Sequence, residues 1–141
     1  MADRLRVLIL CTGNSARSQM AEGLLREMAG ERFDVESAGV APSAVRGEAI
    51  QAMQEIGIDI SGHNSKSVDL FVDQQFDYII TVCDNARESC PVFPGTAERI
   101  HWSFDDPAAA QGDDQSRLAA FRRVRDEIRS RLEEFVATLD H

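Results

Sequence analysis

Apolar and polar positions follow two rhythms along this chain, and they alternate from one segment to the next. Arg6-Val7-Leu8-Ile9-Leu10 is an apolar run after a single charge, the pattern of a strand covered on both faces, and Gln19 to Ala29 follows it as a helix. Phe33 to Ala38 reads as a second strand ending at Gly39. Ala49, Ile50, Met53 and Ile56 mark one face of a helix that stops at Gly57. Ser67 to Gln74 carries a weaker helical pattern, Asp77 to Val82 predicts a third strand, and Glu98 to Trp102 a fourth. Leu118, Phe121, Val124, Ile128, Leu132, Phe135 and Leu139 recur at three- and four-residue steps, predicting one long amphipathic helix whose other face, with Arg122, Arg123, Arg125 and Arg129, is solvated. Strands alternating with helices, without repeats or low-complexity tracts, predict an α/β fold: a four-stranded parallel sheet flanked by helices, formed by residues 1–141 as a single domain.

Composition narrows the class. A chain of 141 residues that is 43% apolar can bury one sizeable core, which agrees with a single domain, and a monomer is expected. A net charge of −9 excludes a general basic surface for nucleic acid or anionic membranes, so affinity for an anion has to come from local donors. Leu5 to Leu10 is too short for a signal peptide, and no apolar run approaches a membrane span, so a cytoplasmic location is expected.

Such donors lie where the first strand ends. Cys11-Thr12-Gly13-Asn14-Ser15-Ala16-Arg17-Ser18 sets a thiol and a guanidinium with five residues between them, at a strand's carboxyl end and a helix N-terminus. Unpaired N–H groups and the helix dipole make that position an anion site, Gly13 permits the backbone angles of a nest, and Arg17 adds a forked donor for two oxygens. The same field favours thiolate over thiol, so Cys11, starting from a free pKa of about 8.5, becomes a nucleophile near neutral pH. Asn14 and Ser18 are expected to hold the loop and bond to the sulfur, with Ser18 as helix N-cap. A buried core thiol at a strand end is the plainer reading of Cys11.

Two further cysteines make an odd count of three, which argues against a structural disulfide framework. Cys83 follows the third strand and would emerge at the sheet's carboxyl edge near the first loop, and Cys90 comes seven residues on across a polar segment. The spacing is no zinc signature and suits a redox relay, although Cys83 also reads as a core thiol and Cys90 as an exposed bystander. Asp106, between Asp105 and Pro107, reads either as a turn former or as a carboxyl held over a pocket as a general acid. His63 and His101 lack metal-ligand partners at helical spacing and read as structural, and Trp102 reads as core. No metal and no bound cofactor are expected.

The loop resembles the Cys-x5-Arg-Ser signature of the low-molecular-weight protein tyrosine phosphatase superfamily. Through Cys11 to Met20, Ser37-Ala38-Gly39, the Cys83 to Pro91 segment and His101-Trp102-Ser103-Phe104-Asp105-Asp106-Pro107, the chain is similar to the thioredoxin-coupled arsenate reductases within it. The resemblance implies a phosphatase-like fold, arsenate held by residues 12–18, and a three-cysteine relay in the order Cys11, Cys83, Cys90, with Arg17 as clamp and Asp106 as acid. It implies thioredoxin as electron donor, with a glutaredoxin as the other candidate reductant. The alternative is a phosphatase acting on phosphotyrosine or small phosphoesters, and a noncatalytic redox sensor or oxyanion-binding regulator is a further rival. Some members of the family bind potassium beside the loop through residues corresponding to Asn14, Glu22, Ser37 and a carboxylate; here that last position is Lys66, whose ammonium could take the cation's place and donate toward Glu22 or the Asn14 carbonyl.

Overall fold

Strand β1 (Leu5–Cys11) lies inside a four-stranded sheet of order β2-β1-β3-β4, in which every neighbouring pair is parallel. The computed structural model describes residues 4–82, 95 and 97–138. Helix α1 (Arg17–Ala29) returns the chain to β2 (Phe33–Gly39), α2 (Gly47–Gln54) follows, and β3 (Tyr78–Thr81), β4 (Glu98–His101) and α3 (Asp114–Thr138) complete the order. Val7 to Leu10 are wholly buried, as expected of an interior parallel strand covered on both faces, and edge strand β4 is more exposed.

Helix α3 packs along α1 and α2 and closes the core over the sheet. Phe135 shows how: its ring lies 5.7 Å from Phe33 on β2, 5.2 Å from Tyr78 on β3 and 6.1 Å from Trp102 just after β4. One aromatic knob thus touches the products of three strands. Leu118, Phe121, Val124, Ile128 and Leu132 are buried as the stripe predicts, while Leu139 lies outside the described residues.

Three expectations are corrected. Ser67 to Gln74 holds only a 3-10 turn over Val68–Leu70, because the Ser67 hydroxyl accepts from the Asp69 N–H and the next turn closes locally instead of propagating. Arg125 is not solvated. Its guanidinium is buried against α2, donating to the Ala52 carbonyl at 2.8 Å and to Glu55 at 3.1 Å, so it ties α3 to the carbonyl end of α2. Ser18 is not an N-cap, since α1 begins at Arg17 after Ala16 and no side chain caps it.

Candidate functional site

The loop between β1 and α1 is shaped by where its carbonyls go. Those of Cys11, Thr12, Gly13 and Ser15 accept from the N–H groups of Val40, Ala41, Ser43 and Arg46 at 2.9–3.2 Å. The Asn14 carbonyl accepts from Gln19 Nε2 at 3.1 Å and Ser65 Oγ at 2.7 Å, and that of Ala16 accepts from Met20 N. Every carbonyl from Cys11 to Ala16 therefore has a donor within the protein. An oxyanion meets repulsion from carbonyl oxygens and attraction from N–H groups, so a loop whose carbonyls are all spent elsewhere, leading into an uncapped helix, has the polarity of an anion cradle.

The left-handed residue in the loop is Asn14 (φ 49°), not Gly13. Asparagine tolerates that conformation, and its amide is satisfied in full here. Nδ2 donates to Ser18 Oγ at 2.8 Å and Ser37 Oγ at 2.9 Å, while Oδ1 accepts from Gln19 Nε2 and the Lys66 N–H, both at 2.9 Å. Both amide hydrogens are thus engaged by serine hydroxyls. Gly13 matters for space, because a Cβ there would stand 3.2 Å from Ser15 Oγ and from Ser43 Oγ. Gly39 matters more: a Cβ on it would sit 2.5 Å from the Thr12 carbonyl oxygen and 2.9 Å from the Asn14 nitrogen.

Behind Asn14 stands a buried polar cluster. Ser37 Oγ donates to Glu22 Oε1 at 2.5 Å, Arg26 pairs with Glu22 Oε2 at 2.8 Å, and Lys66 Nζ lies 3.6 Å from Glu22 Oε1 and 3.8 Å from Glu36 Oε2. Lys66 thus reaches Glu22 with its ammonium, while the Asn14 carbonyl is taken by Gln19 and Ser65. With an ammonium already facing Glu22, these residues do not fit a potassium ion. His63 Nδ1 lies 2.9 Å from Gln19 Oε1, and its Nε2 lies 3.4 Å from Arg26 Nη1. Desolvation is the largest influence on His63 and pushes its pKa below the ordinary histidine value, so the neutral ring that donates to Gln19 and accepts from Arg26 is the form that fits.

Cys11 is buried at the end of β1. Arg17 opens α1 and spans to the loop after β4, donating from Nη1 to the Phe104 carbonyl at 3.1 Å, with Nη2 at 3.9 Å from Asp106 Oδ2. Asp106 forms a turn as one of its two readings expects: Oδ1 accepts from the Ala108 N–H at 3.0 Å and caps the 3-10 turn Pro107–Ala109, while Oδ2 lies on the side of Arg17. Cys83 and Cys90 lie outside the described residues; the chain just before them is placed by the bond from Val82 N to the Leu10 carbonyl, alongside the end of β1. Among the described residues no cluster of histidine, cysteine or carboxylate side chains could hold a metal, and His101 is engaged with Thr81 at 2.7 Å. No helix among them is long and apolar enough to cross a membrane.

Sequence reasoning missed the strap formed by residues 40–46, Gln19 and Ser65. Residues 40–46 act through backbone N–H groups and leave no side-chain signature, whereas Gln19 and Ser65 act through their side chains.

Residues 6–141 match the model of the low molecular weight phosphotyrosine protein phosphatase family. The chain belongs to this family. Over 132 residues it is 48% identical to an arsenate reductase of Halalkalibacterium halodurans, covering 94% of this chain and 95% of that one. A solved arsenate reductase in the intermediate state superposes with a TM-score of 0.77 at 34% identity, covering 96% of this chain and 99% of the other. A thioredoxin-dependent arsenate reductase of Corynebacterium glutamicum superposes at 0.72 with 25% identity, covering 98% of this chain and 63% of that chain. The phosphatase-like α/β fold expected from the sequence is the fold observed.

Proposed function

We propose that this protein reduces arsenate to arsenite, with Cys11 as nucleophile and the loop of residues 12–18 as oxyanion cradle. The observation that carries the reading is that every carbonyl from Cys11 to Ala16 is already taken by a donor within the protein, so that the carbonyl oxygens of the loop after Cys11 are satisfied without an anion's help. Similarity to relatives named arsenate reductase supports arsenate as the oxyanion.

In the first step the Cys11 thiolate attacks arsenic, Arg17 and the loop amides hold the oxygens, and Asp106 protonates the departing oxygen so that it leaves as water. Cys83 then attacks the Cys11 sulfur. The sulfur–arsenic bond breaks with its electron pair on arsenic, which falls from the +5 to the +3 state and departs as arsenite, while Cys11 and Cys83 are oxidised to a disulfide. Cys90 next attacks Cys83, releasing Cys11 as thiolate and moving the disulfide to the Cys83 and Cys90 pair. A dithiol reductant restores the pair, and the thioredoxin-dependent relative in Corynebacterium glutamicum supports thioredoxin over a glutaredoxin in that role. The reducing cytoplasm is the compartment that keeps such thiols ready.

The test supplies arsenate with NADPH, thioredoxin and thioredoxin reductase, and in parallel with a glutaredoxin system. Arsenate-dependent NADPH consumption with thioredoxin is expected. Hydrolysis of aryl phosphates without any arsenate-dependent consumption would assign the cradle to a phosphatase instead.

A further inference from the structure

Asp106 sits on a short turn with its side chain half exposed, so burial does not aim its carboxylate. Something else has to set the distance from that turn to the cradle, and Arg117 on α3 is placed to do so. Its Nη1 donates to the Ala110 carbonyl at 2.6 Å and reaches the Ala108 carbonyl at 3.4 Å. Its Nε and Nη2 both bind Glu48 Oε2 at 3.0 Å.

Each anchor leads to one half of the site. On one side, the Ala108 N–H holds Asp106 Oδ1, so Arg117 reaches, through the next peptide's carbonyl, the same residue whose N–H orients the carboxylate. On the other, Glu48 lies in the first turn of α2, two residues beyond Arg46, whose N–H holds the Ser15 carbonyl of the cradle. A planar guanidinium bound on two edges transmits a fixed geometry that a flexible ammonium would not. We propose that Arg117 is a positioning residue that sets Asp106 against the oxyanion loop. The proposal rests on the reading of Asp106 as the acid of the first step.

Single-turnover arsenite formation, measured without thioredoxin, tests it in a double-mutant cycle with Asp106→Asn. Arg117→Ala is expected to slow the wild-type rate about 10- to 100-fold, the effect of roughly an ångström of misplacement, with little change in the arsenate concentration for half-maximal rate. Arg117→Lys should recover part of the loss. In the Asp106→Asn background Arg117→Ala should change the rate less than about 2-fold, because the group it positions is gone. Losses that multiply in the double variant, or an unchanged rate in Arg117→Ala, overturn the proposal. If Arg117→Ala does not fold, Glu48→Gln run through the same cycle decides by the same criteria. An unchanged rate in Asp106→Asn alone overturns the reading of Asp106 itself, whereas a slow Asp106→Asn with a normal Arg117→Ala overturns only the role of Arg117.

Discussion

Arg17 and Asp106 face each other across the mouth of the cradle: Nη2 of the guanidinium lies 3.9 Å from Oδ2 of the carboxyl, while Nη1 holds the Phe104 carbonyl two residues earlier in the same loop. The residue that would clamp the oxyanion thus also tethers the segment that would protonate it. At 3.9 Å the contact is loose enough for the guanidinium to turn toward a bound oxyanion without breaking a tight pair.

The two side chains should therefore fail differently. Asp106→Asn keeps an oxygen for the Ala108 N–H, so the turn is retained while the proton is lost, and the first chemical step should slow by about 10²- to 10⁴-fold. Arg17→Ala removes both a donor to the oxyanion and the tether at Phe104, and should raise the arsenate requirement as well as lower the rate. Cys11→Ser should abolish turnover with the fold intact. Rapid-quench kinetics with circular dichroism checks all three, and near-normal turnover in Cys11→Ser would remove the mechanism.

In Cys90→Ser, about one arsenite per enzyme should form before the reaction stalls, because the disulfide between Cys11 and Cys83 has no internal exit. Cys83→Ser should stop before releasing any arsenite. Peptide mass spectrometry of arsenate-treated wild type should find a link between Cys83 and Cys90. Sustained thioredoxin-coupled turnover in Cys90→Ser would refute the outward relay.

His63 gives a pH dependence with a definite sign. Desolvation, aided by the Arg26 and Lys66 charges, holds its folded pKa below the ordinary value, while the Glu22 and Asp59 carboxylates pull the other way. The unfolded chain therefore takes up a proton first as pH falls, and stability that is fully present above the ordinary histidine pKa is lost toward the lower folded value. His63→Gln keeps a donor and an acceptor and does not titrate. Denaturant unfolding at about pH 7.5 and about pH 5.5 should show a larger loss in wild type than in His63→Gln. Equal losses would mean that His63 is not the titrating group.

The elements that place the site were legible because each has its own periodicity. The apolar run of β1 and the stripe of α3 appear where the pattern puts them, and the loop between β1 and α1 follows from the strand's end. Helix α1 starts at Arg17, ahead of the predicted Gln19, because an uncapped start carries no Ser, Thr or Asp signal at the right position. Arg125 looked solvated because charge on an amphipathic helix usually is, yet α2 ends where its carbonyl groups need a donor. The strap of residues 40–46 was illegible, since backbone N–H groups are common to every sequence except at proline.

The Lys66 ammonium lies 3.6 Å from a Glu22 carboxylate that is only 4% exposed. Glu22 supports the Ser37 hydroxyl, and Ser37 in turn accepts from the Asn14 amide that shapes the cradle. A buried carboxylate needs compensating charge, and Arg26 and Lys66 supply it from two sides. A covalently attached cation cannot be diluted away, so potassium should neither stabilise nor activate the wild type. Lys66→Ala should lower stability by about 1 kcal/mol, or roughly 3 °C for a domain of this size, since Arg26 remains. Lys66→Asp replaces the ammonium by a carboxylate beside Glu22 and should make both stability and turnover respond to potassium. Melting temperature and turnover are compared in potassium and tetramethylammonium chloride at matched ionic strength, which removes ordinary screening from the difference. A potassium-specific gain in the wild type would show that Lys66 does not occupy the cation's place.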